Sequence, residues 1–199
     1  MKLRKRWGIF VALIIAALLW SWRYTSLNAY YDSINTVEEK VYQKGAFVPF
    51  GDDYTFGDTT LDGYSIRVDG IEIMEFQAFC QVAGVTEDDV SSVPDRVALV
   101  TITLFNESND TDAVALVDFN LHGVDSTVGM NWELLSKLNP VLEGIFMVRI
   151  EKGAQYQFVL PYNINQRYFG SYTWNNMDNY DWFLRITTWP TKKDIAING

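Results

Sequence analysis

One cysteine and one histidine in 199 residues remove several kinds of chemistry at the outset. Cys80 alone cannot close an intramolecular disulfide, so packing has to hold the fold, unlike a small disulfide-stapled secreted module. It lies in the apolar run 76–85, which favours a buried, inert thiol over a reactive one. His122 alone excludes zinc sites and metal triads that need two imidazoles. It shares strand parity with Asp118 and Asn120, opposite Phe119 and Leu121, and so is expected to face outward. A triad of Ser126, His122 and Asp125 is conceivable only on paper, because the three are nearly contiguous and no Gly-x-Ser-x-Gly elbow or oxyanion loop accompanies them. A Cys80 and His122 dyad fares no better, since Cys80 sits on an apolar face. No glycine-rich phosphate loop is present. No catalytic residue, metal site or cofactor is expected.

Basic residues are scarce beyond the N-terminus. Of 16 Lys and Arg, five fall in the first 23 residues, where there is no acid; the remainder sets eleven against all 25 Asp and Glu. That acidic balance opposes nucleic-acid backbones and anionic lipid headgroups alike, so no nucleic-acid partner is expected. The acids of 85–95, Glu87, Asp88, Asp89 and Asp95, lack the D-x-[DN]-x-[DN]-G spacing of a calcium loop and read as solvated charge. Carboxylate pairs for glycoside hydrolysis carry no signal without geometry when acids are this abundant.

What the chain has is one long uncharged run, WGIFVALIIAALLWSW, residues 7–22. As a helix it is about 24 Å long, slightly short of a ~30 Å hydrocarbon core, and Arg6 and Arg23 can snorkel to make up the difference. Trp7, Trp20 and Trp22 sit where an interfacial belt would place them, and Lys2, Arg4, Lys5 and Arg6 keep the N-terminus cytoplasmic. The expected organisation is a basic tail (1–6), a single-pass signal-anchor (7–23), a juxtamembrane helix (24–45) and an extracellular domain (46–199). The alternative is a signal peptide removed near Leu27-Asn28-Ala29 with secretion; Leu at the −3 position counts against it. A buried core helix is the third reading.

In the stalk, Tyr30, Ile34, Val37 and Val41 have helical spacing, with Asn35 and Glu38 as a capping pair and Gly45 as the stop. Pro49 suits only an edge in the extended stretch 46–60. Tyr64, Ile66 and Val68 then alternate with polar residues, and Ile71 and Ile73 resume in the opposite phase after Asp69-Gly70. That dipeptide is a bulge in one bent strand or a hairpin turn, and the bulge is favoured. Residues 75–84 read as a short helix with Phe76, Phe79 and Val82 or Ala83 on one face. A core hairpin follows: Ala98, Val100, Ile102 and Leu104, the polar turn 106–112, then Ala113, Ala115, Val117, Phe119 and Leu121. Asn106 and Asn109 head formal glycosylation sequons but read as turn residues. Asn131 caps a helix over 132–138, which Pro140 follows. Strands are expected at 145–150, at 155–160 with Pro161 as terminator, and lastly at 180–189, where Pro190 ends alternation of Tyr180, Trp182, Leu184 and Ile186. The fold class is mainly β: an antiparallel β-sandwich with one or two short helices.

The stretch VALVTITLFNESNDTDAVALVDFNLHG, with DGYSIRV (62–68), LNP (138–140), LPYNI (160–164) and PTKKDI (190–195), resembles the telokin-like, immunoglobulin-like extracellular domains of Gram-positive bacteria. The resemblance covers roughly 46–197. It implies an immunoglobulin-like sandwich attached to a membrane by an N-terminal segment or a lipid, and it brings no catalytic residues. The missing lipid-attachment cysteine departs from the lipoprotein members and fits a helical anchor.

One segment stands above the background. Between 166 and 181, Tyr168, Phe169, Tyr172, Trp174 and Tyr180 are set among Asn175, Asn176, Asp178 and Asn179. Aromatics on a polar loop stack sugars or anchor a protein, although they also close the end of a sandwich. Tyr172 and Trp174 are the candidate ligand-binding residues. Three functions follow as expectations: a non-enzymatic module binding a protein partner or an envelope glycan, a structural or protective envelope protein, and a hydrolase with an unrecognised carboxylate site.

Overall fold

Asp69 is an extra residue in an otherwise regular ladder. In the computed structural model, which describes residues 2–35, 37–54, 61–123, 126–142 and 146–198 (with side chains of 2–6, 8–12 and 30–35 outside that description), strand β3 (Tyr64–Glu75) pairs antiparallel with β4 (Arg96–Asn106) along its whole length. Val68 faces Ile102 and Gly70 faces Thr101, so Asp69 bulges out. The bulge returns Ile71 and Ile73, opposite Val100 and Ala98, to the face that carries Ile66 and Val68. The change of phase in the sequence is thus a bulge, not a hairpin.

Two further strands complete that sheet in the order β2-β3-β4-β9, with β2 (Val48–Pro49) and β9 (Gln155–Ile164) at the edges. Pro49 sits on an edge as expected. Pro161 does not end its strand, which runs on to Ile164 in register with β4. The Pro161 carbonyl accepts from the Asn131 N–H at 2.7 Å, away from β4, so the missing proline N–H also lies on the outer side and no ladder bond is lost. Tyr156 is half exposed at the start of the strand.

The second sheet runs β1-β11-β10-β6-β7: β1 (Glu38–Tyr42), β11 (Thr191–Ala196), β10 (Phe183–Thr187), β6 (Asn120–His122) and β7 (Thr127–Val128). Several expectations change here. The helical stalk over 24–45 stops at Asn35, and 38–42 becomes a strand that pairs parallel with β11, so the sandwich is not wholly antiparallel. The pairing covers the backbone edge of β11, and Lys192 ties to Glu39 at 2.7 Å. The strand expected as last is shortened to 183–187, and β11 follows Pro190 as a further strand.

The core hairpin also fails beyond residue 106. The chain leaves β4 and crosses to the other sheet through β5 (Val114–Ala115) and a 3-10 turn, Leu116–Asp118, before entering β6. That turn shifts the phase: Val114, Leu116, Phe119 and Leu121 are buried, while Val117 is exposed. Only two residues of the strand expected at 145–150 pair, as β8 (Met147–Val148) against β5, with Ile145 outside the described residues.

The two larger sheets share one core, in which Ile66, Val100, Phe158 and Tyr162 meet Leu121, Leu184 and Ile195, and Phe50 stacks on Phe119 at 5.9 Å. A second cluster lies on the outer face of the four-stranded sheet. There α2 (Phe76–Ala83) contributes Phe76 and Phe79, and α3 (Trp132–Leu138) contributes Leu134, over Val97. Gly84 closes α2 in the left-handed region at φ 66°, and Asn131 Oδ1 caps α3 by accepting from the Glu133 and Leu134 N–H groups. Val82 faces solvent, so Ala83 completes the buried face of α2.

Residues 1–37 form a separate unit. Its helix α1 (Lys2–Asn35) is unbroken for 34 residues, and Leu13, Ile14, Ile15, Leu18 and Leu19 project from several sides of it, all exposed. Among the described residues no helix is long and apolar enough to cross a membrane; the side chains of 8–12, part of the apolar run, lie outside them.

Candidate functional site

The polar residues of the sequence motifs are spent inside the fold. Asn106 is fully buried: its Nδ2 donates to the Asn109 and Ile150 carbonyls, and its Oδ1 accepts from the Asn109 N–H. Asn109 in turn holds the Asp62 carbonyl and the Thr111 and Asp112 N–H groups. Both sequon asparagines, Asn106 at the end of β4 and Asn109 within the turn, therefore serve to hold the turn together. Gly63 meets the same turn at φ 85°, where a Cβ would lie 2.7 Å from the Asn109 nitrogen. Asn139 of the LNP triplet both donates to and accepts from the Val159 backbone, and the Tyr162 hydroxyl donates to Phe119 O.

Charged groups follow the same pattern. Lys193 and Asp53, both buried, pair at 2.7 Å, and the ammonium also donates to the Pro49 and Phe50 carbonyls. Burial raises the Asp53 carboxyl, but the bonds from Lys193 and Thr191 outweigh it and hold the group below the usual carboxylate range. Asp69 is also held low: bonds from Thr103, Arg67 and Gln157 exceed the effect of its burial. On the outer face of the five-stranded sheet, Arg185 grips Asp194 through Nε (2.9 Å) and Nη2 (3.1 Å), and His122 Nε2 lies 3.2 Å from Asp194. These bonds outweigh burial and lower Asp194 too.

The candidate nucleophiles of the sequence have the following surroundings. His122 faces outward, as its parity predicts, but its partners are Arg185, Asp194 and the stacked ring of Phe183. Ser126 Oγ has no hydrogen-bond partner among the described residues, and Asp125 lies outside them. Cys80 is on the opposite side of the domain, in the helical layer; burial, with Glu87 and Asp89 nearby, pushes its thiol up and keeps it protonated. Asp89 is spent on the Thr86 N–H and on Lys137, and Asp95 on the Gln166 N–H. No cluster able to hold a metal ion occurs among the described residues.

The aromatic segment is helical rather than extended. A 3-10 turn, Gln166–Tyr168, leads to α4 (Ser171–Asn175) and a second turn, Met177–Asn179. Tyr172 and Trp174 stand two positions apart on α4, so they point in different directions and do not form one platform. Tyr172 is 83% exposed and Tyr168 63%. Trp174 is partly buried, with the Arg96 guanidinium 4.1 Å above its ring. Phe169, Tyr180 and Trp182 pack edge to face and close the end of the core. Tyr180 therefore belongs to this cap and not to a strand.

Beside the segment is a groove of about 340 Å³ lined by Glu75, Phe76, Gln77, Glu87, Val93, Pro94 and Asp95. Two bonds join it to the segment: Asp95 accepts from the Gln166 N–H at 2.8 Å, and Arg96 spans from Glu75 (2.7 Å) to the Trp174 carbonyl (2.9 Å). The acids of 85–95 are visible in the sequence, but their placement against α2 and a segment some 75 residues away is not. A second groove, about 370 Å³, lies over the bulge between Asp69, Glu72, Leu99 and Val159.

The family model for a domain of unknown function, DUF5028, matches residues 39–193. The chain belongs to the DUF5028 family. The match begins within β1 and ends within β11, so this DUF5028 domain includes the pair that closes the five-stranded sheet. Among solved structures, the yjhA protein from Bacillus subtilis matches at 10% identity and a TM-score of 0.39, over 77% of this chain and 99% of that one. No curated protein matches.

Proposed function

We propose that the chain is a membrane-anchored, extracellular, immunoglobulin-like module that binds a protein partner through the aromatic segment and does no chemistry of its own. The observation that carries this reading is the exposure of Tyr168 and Tyr172 on a segment otherwise bonded into the domain. Rings held outward on a braced backbone offer large contact area at little entropic cost. The spent polar groups of the motifs support a scaffold role for everything beneath. Asp118, whose carboxyl burial raises with no bond to offset it, lines neither groove, which weighs against a hydrolase with an acid in waiting. The anchor is supported by α1, whose apolar side chains on several sides would suit a lipid surround, and by exposed Trp7, Trp20 and Trp22 near the ends of the run.

The test is photocrosslinking in intact cells from a reactive amino acid at position 172. A discrete protein adduct that a Tyr168→Ala substitution weakens is expected. A glycan adduct, or none from 172 or 168, overturns the reading.

A further inference from the structure

The Glu87 carboxylate has no hydrogen-bonding or ion-pair partner among the described residues, although it lines a groove with two other carboxylates. Glu75 is answered by Arg96, and Asp95 by a backbone N–H, so the groove keeps an uncompensated acidic wall with no cation among its lining residues. The same groove presents Val93, 47% exposed, with Pro94 buried beside it. Its carboxylates belong to no cluster of metal-binding geometry, which points to an extended cation rather than a bare ion.

We propose that this groove, beside the segment that carries Tyr168 and Tyr172, receives a lysine- or arginine-bearing segment of the protein partner. The inference deepens the binding reading above and rests on it. A lysine or arginine side chain matches both parts of the surface. Its aliphatic stem covers Val93 while its charged head meets Glu87 and Asp95. The acidic excess of the domain steers such a partner and repels acidic competitors. The brace between Glu75, Arg96 and Trp174 fixes the groove relative to the rings before anything binds, which lowers the ordering cost of association.

The test uses the full chain in non-ionic detergent micelles with fluorescein-labelled pentalysine and pentaglutamate, read by anisotropy. Saturable binding of pentalysine alone is expected, weakened roughly tenfold by Glu87→Lys and about threefold by the milder Glu87→Gln and Val93→Ser, all at exposed positions. Glu107→Lys, an equal charge reversal on the turn 106–112, should leave it unchanged. Absence of saturable pentalysine binding overturns the proposal, and so does equal weakening by Glu107→Lys, which marks general acidity. If the adduct from position 172 survives Glu87→Lys in cells, the aromatic segment remains the docking site and only the cationic partner is lost.

Discussion

Lys193 Nζ lies 2.7 Å from Asp53 Oδ2, and both residues are buried where β11 passes the turn after β2. All three ammonium protons have acceptors, so neither partner can lose the other without stranding a charge. Lys193→Ala is expected to cost about 3–5 kcal/mol in urea unfolding, the range for breaking a buried pair from one side. Lys193→Met with Asp53→Leu should recover most of that loss.

Acid should destabilise the domain through Asp53, Asp69 and Asp194. Each has a folded pKa below its unfolded value, so its contribution is present above the unfolded value, roughly 3.9, and is lost as pH falls through the folded one. Stability is thus flat from neutrality to about pH 5 with respect to these groups and declines below about pH 4. Asp194→Asn, measured by denaturant midpoint against pH, should shrink that acid limb.

Asp118 carries the opposite sign. Its burial raises the folded pKa, so the fold favours the protonated acid and loses stability as pH rises past the unfolded value. Asp118→Asn should raise the thermal midpoint at pH 7, with the gain vanishing near pH 3.

Gly63 and Gly153 both have positive φ, 85° and 79°, but only Gly63 faces the backbone of a neighbouring turn. Gly153→Ala should cost about 1 kcal/mol for the left-handed conformation alone. Gly63→Ala must also push the 106–112 turn aside and should cost distinctly more, read as the difference between the two midpoints.

Local signals were legible wherever neighbours in sequence determine the outcome. The Asp69 bulge, the Asn131 cap, the short helix within 75–84 and the edge position of Pro49 all follow from spacing and turn chemistry. Predictions failed where a distant strand decides. Residues 38–42 have helical spacing but find the edge of β11, and 113–121 alternates like a hairpin return yet crosses between sheets. Pro161 reads as a terminator until the direction of its carbonyl is known. At the candidate site, the exposure of Tyr172 was legible. The burial of Trp174 was not, because Arg96, 78 residues earlier, covers it.

The pairing of β1 with β11 also sets an order in time. β1 is the first part of the domain to leave the ribosome, and its partner is nearly the last, with about 150 residues between them. Until 191–196 have emerged, β1 has no ladder to join, and the edge of β10 that receives β11 stands open. Completion of the domain therefore waits for its C-terminus. A domain that lacks 191–196 would leave β1 with nothing to close against.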